Sequence, residues 1–405
     1  MSTSKDFIDI ESTYCAHNYN PIPVVIAKAE GAHVWDAEGK KYLDMLSCYS
    51  ALNQGHRHPR IVEAAIQQLG RVTLTSRAFH NDKLGPFLRK LTDLTGMEMA
   101  LPMNTGAEAV ETGIKLARRW AYEKKKVPGD EAEVIVCANN FHGRTTTIIG
   151  FSTDENSRAD FGPFTPGFKI IPYNDTKALA SAITPNTAAF LVEPIQGEAG
   201  VIVPSEGYLR NVREICTENN ILLILDEIQT GFCRTGKMFC FQYEAIKPDV
   251  LVVGKALGGG MMPISAVLSS KEVMSVLTPG SHGSTFGGNP LACAIGAAAL
   301  DVLIDEKLDQ RSAELGSYFM KRLKELKNPL FKEIRGRGLL IAVELQKEAG
   351  PARKYTEALM RNGLLAKETH ETIIRFAPPL VIEKHEIDTA LEIIEKTFSA
   401  VFVSH

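Results

Sequence analysis

Four short stretches of the chain, 134–137, 188–192, 221–225 and 250–253, are apolar at nearly every position. Runs apolar on both alternating faces mark strands buried on both sides, as in a parallel sheet sandwiched between helices. Between them, 107–122 and 208–218 place apolar residues at helical spacing. This strand–helix alternation predicts a mostly parallel α/β sheet in the middle of the chain, with helices on both faces.

The last hundred residues follow another pattern. Leu315, Tyr318, Phe319, Leu323 and Leu326 recur at helical spacing, as do Ile387, Leu391, Ile394 and Phe398, with short strands predicted at 339–345 and 373–376 between them. That mixture predicts a smaller C-terminal α+β domain, 301–405, beginning inside the Ala-rich stretch after Pro290. Residues 51–300 form the large domain. Residues 1–50, with Pro21, Pro23 and a strand–turn–strand at 32–43, are expected to pack against the small one. A chain of 405 residues is long enough for two such cores, and no repeat or low-complexity linker interrupts it.

Composition narrows the function classes. The net charge of −3 gives no sign of a polyanion-binding face. The triplet Lys124, Lys125 and Lys126 follows an apolar helical stretch and reads as a solvated helix end. No run of 18 apolar residues is present, so no membrane span is expected. The first residues, MSTSKDFIDIEST, lack the apolar centre of a signal peptide, and Asp6, Asp9 and Glu11 precede the first arginine, Arg57, unlike a transit peptide. Seven cysteines without a CxxC pair read as reduced thiols. Cys233 and Cys240 could form a redox pair or be ordinary core residues. The expected location is the cytoplasm.

In open parallel sheets, ligands bind beyond the carboxyl ends of the strands. The run 188–192 ends in Glu193-Pro194-Ile195-Gln196-Gly197-Glu198, the run 221–225 in Asp226-Glu227-Ile228-Gln229, and the run 250–253 in Gly254-Lys255-Ala256-Leu257-Gly258. A strand-end lysine beside glycines is either a surface lysine or one that carries a carbonyl cofactor as a Schiff base, which requires a neutral amine and small neighbours. Asp226 favours the second reading. Pyridoxal phosphate acts as an electron sink while its ring nitrogen is protonated, and a neighbouring carboxylate holds that proton. The turn from Met103 to Ala109 enters a helix whose free N–H groups suit a phosphate, and Ser284 and Thr285 offer hydroxyls.

Two other motifs compete with this reading. Gly231 to Lys237 fits seven positions of a nucleotide-binding loop, GxxxxGK[ST]. Met238 replaces the Mg²⁺-binding hydroxyl, however, and the acidic strand precedes the loop instead of following it. His56, Arg57 and His58 lack a nearby third metal ligand and read as a turn before Pro59.

The segments NTGAEAVETGIKLAR, NNFHGRT, VEPIQGEAG, LDEIQTG, VVGKALGGG and HGSTFGGNP, in this order across nearly the whole chain, resemble the class III pyridoxal-phosphate-dependent aminotransferases of fold type I. The resemblance implies a homodimer with active sites at the subunit interface. Within that family, AHNYNPIPV, SCYSALNQGH, TLTSRAF, FGPFTPGF, PYND, NGLLAK and IIRFAPPLVI resemble the members acting on L-ornithine. They imply transfer of its δ-amino group to 2-oxoglutarate, giving glutamate 5-semialdehyde and glutamate. Acetylornithine and 4-aminobutyrate are the alternative amino donors.

Carried over by motif, Lys255 is the Schiff-base lysine and proton shuttle, and Asp226 pairs with the ring nitrogen of pyridoxal 5'-phosphate. Gln229 contacts its ring oxygen and Phe141 stacks on the ring. Gly106 and Ala107 bind the phosphate through backbone N–H groups, and Thr285 reaches it from the partner subunit. Tyr19 and Arg144 hold the α-amino and α-carboxylate ends of ornithine, and Tyr49 forms the pocket wall. Arg375 grips 2-oxoglutarate and is covered by Glu198 when ornithine binds; otherwise Arg375 is an edge-strand arginine in a structural salt bridge. His142 departs from the tryptophan of the animal ornithine enzymes, which puts only the packing around the ring in doubt.

Overall fold

The computed structural model describes residues 3–403. Strands β1 (Ile26–Glu30), β2 (His33–Asp36) and β3 (Lys41–Asp44) form an antiparallel N-terminal sheet. The central sheet follows with β4 (Met99–Met103), β5 (Glu133–Cys137), β6 (Phe168–Ile171), β7 (Thr187–Val192), β8 (Leu222–Asp226), β9 (Val250–Val253) and β10 (Ser265–Ser269). Their spatial order is β4-β10-β9-β8-β7-β5-β6. All run parallel except β10, which is antiparallel to β4 and β9.

The apolar runs behave as strands because both faces are covered. Ile135, Phe190, Leu223 and Leu251 join one core with Leu209 and Val212 of helix Tyr208–Glu218 and with helix Pro290–Asp305. Val134, Leu191, Ile224 and Val252 join the opposite core under Val110, Ile114 and Trp120 of helix Gly106–Trp120. Alternate side chains thus enter alternate cores.

β11 (Phe331–Arg337), β12 (Leu340–Leu345), β14 (Lys367–Thr369) and β15 (Ile373–Phe376) form a third, antiparallel sheet in the order β11-β12-β15-β14. Helices Leu308–Glu325, Ala352–Arg361 and Lys384–Val403 accompany it. β13 (Leu364–Leu365) leaves this region and pairs in parallel with β3, so the N-terminal sheet is completed by the C-terminal part of the chain. Residue 300 lies within helix Pro290–Asp305.

Two expectations change. The lysine triplet is not fully solvated: the helix continues as a π-turn, Ala121–Lys125, and Lys125 Nζ donates to the carbonyl of Thr187 at 2.8 Å. Its chain is long enough to satisfy the carbonyl where β7 begins, and burial lowers its amine from the ordinary value. Arg375 is not on an edge strand, because β15 lies between β12 and β14. Cys233 and Cys240 are both buried free thiols. No helix among the described residues is long and apolar enough to cross a membrane.

Candidate active site

Five strands deliver their carboxyl ends to one rim of the central sheet. β8 stops at Asp226, β9 passes through Gly254 into Lys255, and β7 runs into Glu193. β5 leads to the loop that carries Phe141, and β4 leads to Thr105. Gly106, Ala107, Phe141, His142, Glu193, Glu198, Asp226, Ile228, Gln229 and Lys255 line a common cavity of about 200 Å³. A wider cavity of about 560 Å³ shares Phe141, His142 and Glu198 with it and adds Arg144.

Lys255 sits in left-handed backbone, φ 46°, a strained conformation for a side chain with a Cβ. Burial pulls its amine below the ordinary value, against the opposing fields of Glu198 and Asp226. A larger neutral fraction makes it a better nucleophile. Asp226 is fixed from two sides: its Oδ2 is 2.7 Å from His142 Nδ1, and its Oδ1 accepts from the Ile228 N–H at 3.0 Å. Burial alone would lower the His142 imidazole, but the hydrogen bond and charge of Asp226 outweigh it and raise it. Glu193 Oε2 accepts from the Phe141 N–H at 3.1 Å, and burial pushes its carboxyl up to about 8.

The phosphate end of the cavity is a helix terminus. Thr105 caps helix Gly106–Trp120 by accepting from the Glu108 N–H, and Glu108 accepts in return from the Thr105 N–H. The N–H groups of Gly106 and Ala107 therefore keep no intrahelical acceptor and face an incoming anion with the helix dipole behind them.

At the mouth, Arg375 Nη1 lies 2.7 Å from Glu198 Oε1, and Gln229 Nε2 donates to the same oxygen at 3.0 Å. Burial would raise the Glu198 carboxyl, but Arg375, Lys255 and these hydrogen bonds hold it down to about 2. The Arg375 guanidinium also lies 4.9 Å from the centre of the Tyr49 ring. A Cβ at Gly197 would fall 1.5 Å from Gln229 Oε1, so a larger residue there would force the Gln229 amide to move.

His142 Nε2, Gln229 Oε1 and Arg375 Nε are buried without a partner among the described residues. Unpaired buried polar atoms are costly unless a ligand satisfies them. The donor set fits pyridoxal 5'-phosphate: an amine, a carboxylate, an amide, an aromatic face and an anion-binding helix end. The predicted substrate residues spread outward. Arg144 lies 5.8 Å from the centre of the Phe141 ring. Tyr19 is 74% exposed, on a segment tied down by Arg353 through the carbonyls of Asn20 and Pro21. Thr285 is exposed and lines neither cavity within one chain, while Ser284 Oγ accepts from Asn104.

Glu193 stands on the predicted rim, but its role shows only in the fold. The role of His142 is hidden in the sequence because its partner Asp226 lies far along the chain. Glu193 directly follows the apolar run of β7, a signal that could have marked it, whereas His142 stands five residues beyond the end of β5 and carries no such signal.

Residues 14–398 match the family described as aminotransferase class-III. The ornithine aminotransferase of Brevibacillus brevis is 63% identical over 396 residues, covering 98% of each chain. The structure of an ornithine aminotransferase from Toxoplasma gondii, with partial occupancy of PLP at its active site, aligns at a TM-score of 0.98 and 50% identity, covering 99% of this chain and 95% of that one. An acetylornithine aminotransferase from Elizabethkingia anophelis aligns at 0.90 and 50% identity, covering 99% of this chain and 100% of that one.

Proposed function

Because this chain belongs to the class III aminotransferase family, we propose that it transfers the δ-amino group of L-ornithine to 2-oxoglutarate, giving L-glutamate 5-semialdehyde and L-glutamate. Its cofactor is pyridoxal 5'-phosphate, which when bound supplies the electron sink that stabilises a carbanion at the reacting carbon. Lys255 would hold the cofactor, and its Nζ is the base placed to take the proton from the substrate's δ-carbon. Asp226, steadied by His142, keeps the ring nitrogen protonated. Gln229, Phe141 and the backbone N–H groups of Gly106 and Ala107 would hold the cofactor's ring and phosphate.

The observation that carries this reading is the Glu198–Arg375 pair beside Tyr49. A guanidinium already neutralised by Glu198 does not compete for ornithine's α-carboxylate. Arg144 and Tyr19 then take the α end, and the δ-amine is directed toward Lys255. When 2-oxoglutarate enters, Glu198 withdraws and Arg375 makes a charge-assisted, bidentate contact with its α-carboxylate.

The same reading includes a homodimer in which Thr285 completes the partner's phosphate site, and a cytoplasmic location. It also divides the chain at 1–50, 51–300 and 301–405. Acetylornithine is the competing donor, kept in view by the likeness to the Elizabethkingia enzyme. Glutamate formation from 2-oxoglutarate should be followed with ornithine, acetylornithine and 4-aminobutyrate in turn. The kcat/KM for ornithine should exceed the others by about tenfold or more. A preference for either rival would overturn the substrate assignment.

A further inference from the structure

The loop-like segment GFCRTGK, 231–237, holds a buried arginine. Arg234 is 0% exposed, and its side-chain hydrogen bonds all go to uncharged oxygens. Nε and Nη2 donate to Asn53 Oδ1 at 3.2 and 2.6 Å, and Nη2 also donates to Ser47 Oγ at 3.0 Å. Nη1 donates to the carbonyls of Leu339 and Pro378 at 2.9 and 2.6 Å. One side chain thus joins the end of the β8 loop to the N-terminal segment and to two places in the C-terminal part.

Two of those places border residues assigned to the substrate. Ser47 opens a left-handed turn in which Ser47, Cys48, Tyr49 and Ser50 have φ of 45, 48, 59 and 71°. L-residues resist this conformation because of their Cβ atoms, so the turn persists only where its surroundings hold it. Tyr49 lies within it and meets Arg375. On the other side, Ala377 and Pro378 follow shortly after Arg375. Ser47 Oγ donates to the Ala377 carbonyl at 2.6 Å, and the Ala377 N–H donates to the Met45 carbonyl at 2.7 Å. The Leu380 N–H donates to the Asn53 carbonyl at 2.9 Å. The turn and the chain leaving β15 are therefore laced together, with Arg234 at the seam.

We propose that Arg234 is a positioning residue: it holds the left-handed turn against the segment after Arg375, and so sets where Tyr49 and Arg375 meet a substrate. The inference rests on the assignment of Tyr49 and Arg375 to substrate binding. Burial and the nearby charge of Arg375 both work against the buried guanidinium, which is drawn down to about 9 despite Asp44. Arg234 remains charged at neutral pH, so its site is costly for stability, and what it secures is geometry. The effect should fall mainly on the acceptor. With ornithine, Arg375 stays on Glu198, whereas 2-oxoglutarate needs the guanidinium free and aligned.

Ser47→Gly and Ser47→Ala separate alignment from folding. Glycine relieves the strain at φ 45° and alanine does not, but both remove the bridging hydroxyl. In the holoenzyme, both variants should keep the wild-type cofactor absorption and a kcat within about twofold, while the KM for 2-oxoglutarate rises about fivefold or more in both. Arg234→Lys should raise it further, and if it does not fold, the Ser47 pair decides the matter. An active wild type whose KM is unchanged in both Ser47 variants, or merely follows their melting temperatures, overturns this inference alone. A wild type that forms no glutamate from ornithine overturns the functional reading and this inference with it.

Discussion

Glu193 and Glu198 stand on one loop and titrate in opposite directions. Glu193 is raised to about 8 by burial, while Glu198 is held to about 2, chiefly by Arg375 once burial is overcome. The consequences for the cofactor-free protein have opposite signs. Glu193 keeps its proton in the fold after the unfolded chain has lost it, so its contribution to stability falls as pH rises from the ordinary 4.5 toward 8. Glu198 contributes above 4.5 and loses that contribution as pH falls toward 2. Urea midpoints should therefore show Glu193→Gln gaining on wild type as pH rises from about 4.5 to about 8, then holding level. Glu198→Gln should start below wild type at neutral pH and close the gap on acidification. Parallel curves for the two variants would contradict the assigned environments. At this scale the sequence displayed Lys255, Asp226, Gln229 and Glu198, because each follows an apolar run. It did not display the Asp226–His142 bond or the protonation of Glu193, which depend on loops that meet only after folding.

Among the elements, helix Gly106–Trp120 links stability to binding. Its capping box uses the third N–H and leaves the first two for a phosphate. Thr105→Ala should lower stability by about 1 kcal/mol, read from the urea midpoint, with the cofactor's absorption maximum unchanged. A loss near zero would mean that the cap is not holding the terminus. The legible strands include β5, β7, β8 and β9, each buried on both faces, and also β12, β15 and the β2–β3 hairpin, whose apolar runs are short but clear. The missed ones have physical reasons. β4 is an edge strand that tolerates Pro102, β6 is a short edge strand, and β11 is a polar edge strand. β10 is fully buried but carries serine at both ends, which hides it in a loop-like context. Helix Pro290–Asp305 is apolar almost all round and shows no clear stripe.

Across the whole molecule, distant parts of the chain complete one another's sheets and sites. β13 extends the N-terminal sheet, Arg375 from β15 reaches Glu198 after β7, and Arg234 binds both ends of the chain to its middle. A sequence read segment by segment cannot reveal this, because a two-residue strand such as β13 has no pattern of its own. The assembled mouth explains how one site could accept a diamine at one end only and then a dicarboxylate. The most direct test of that claim uses ornithine labelled with heavy nitrogen at either the δ or the α position, incubated with 2-oxoglutarate and the purified holoenzyme. Mass spectrometry of the glutamate formed should find the label only when it starts at the δ position, with Lys255→Ala yielding no labelled glutamate. Label arriving from the α position at a comparable rate would contradict the account.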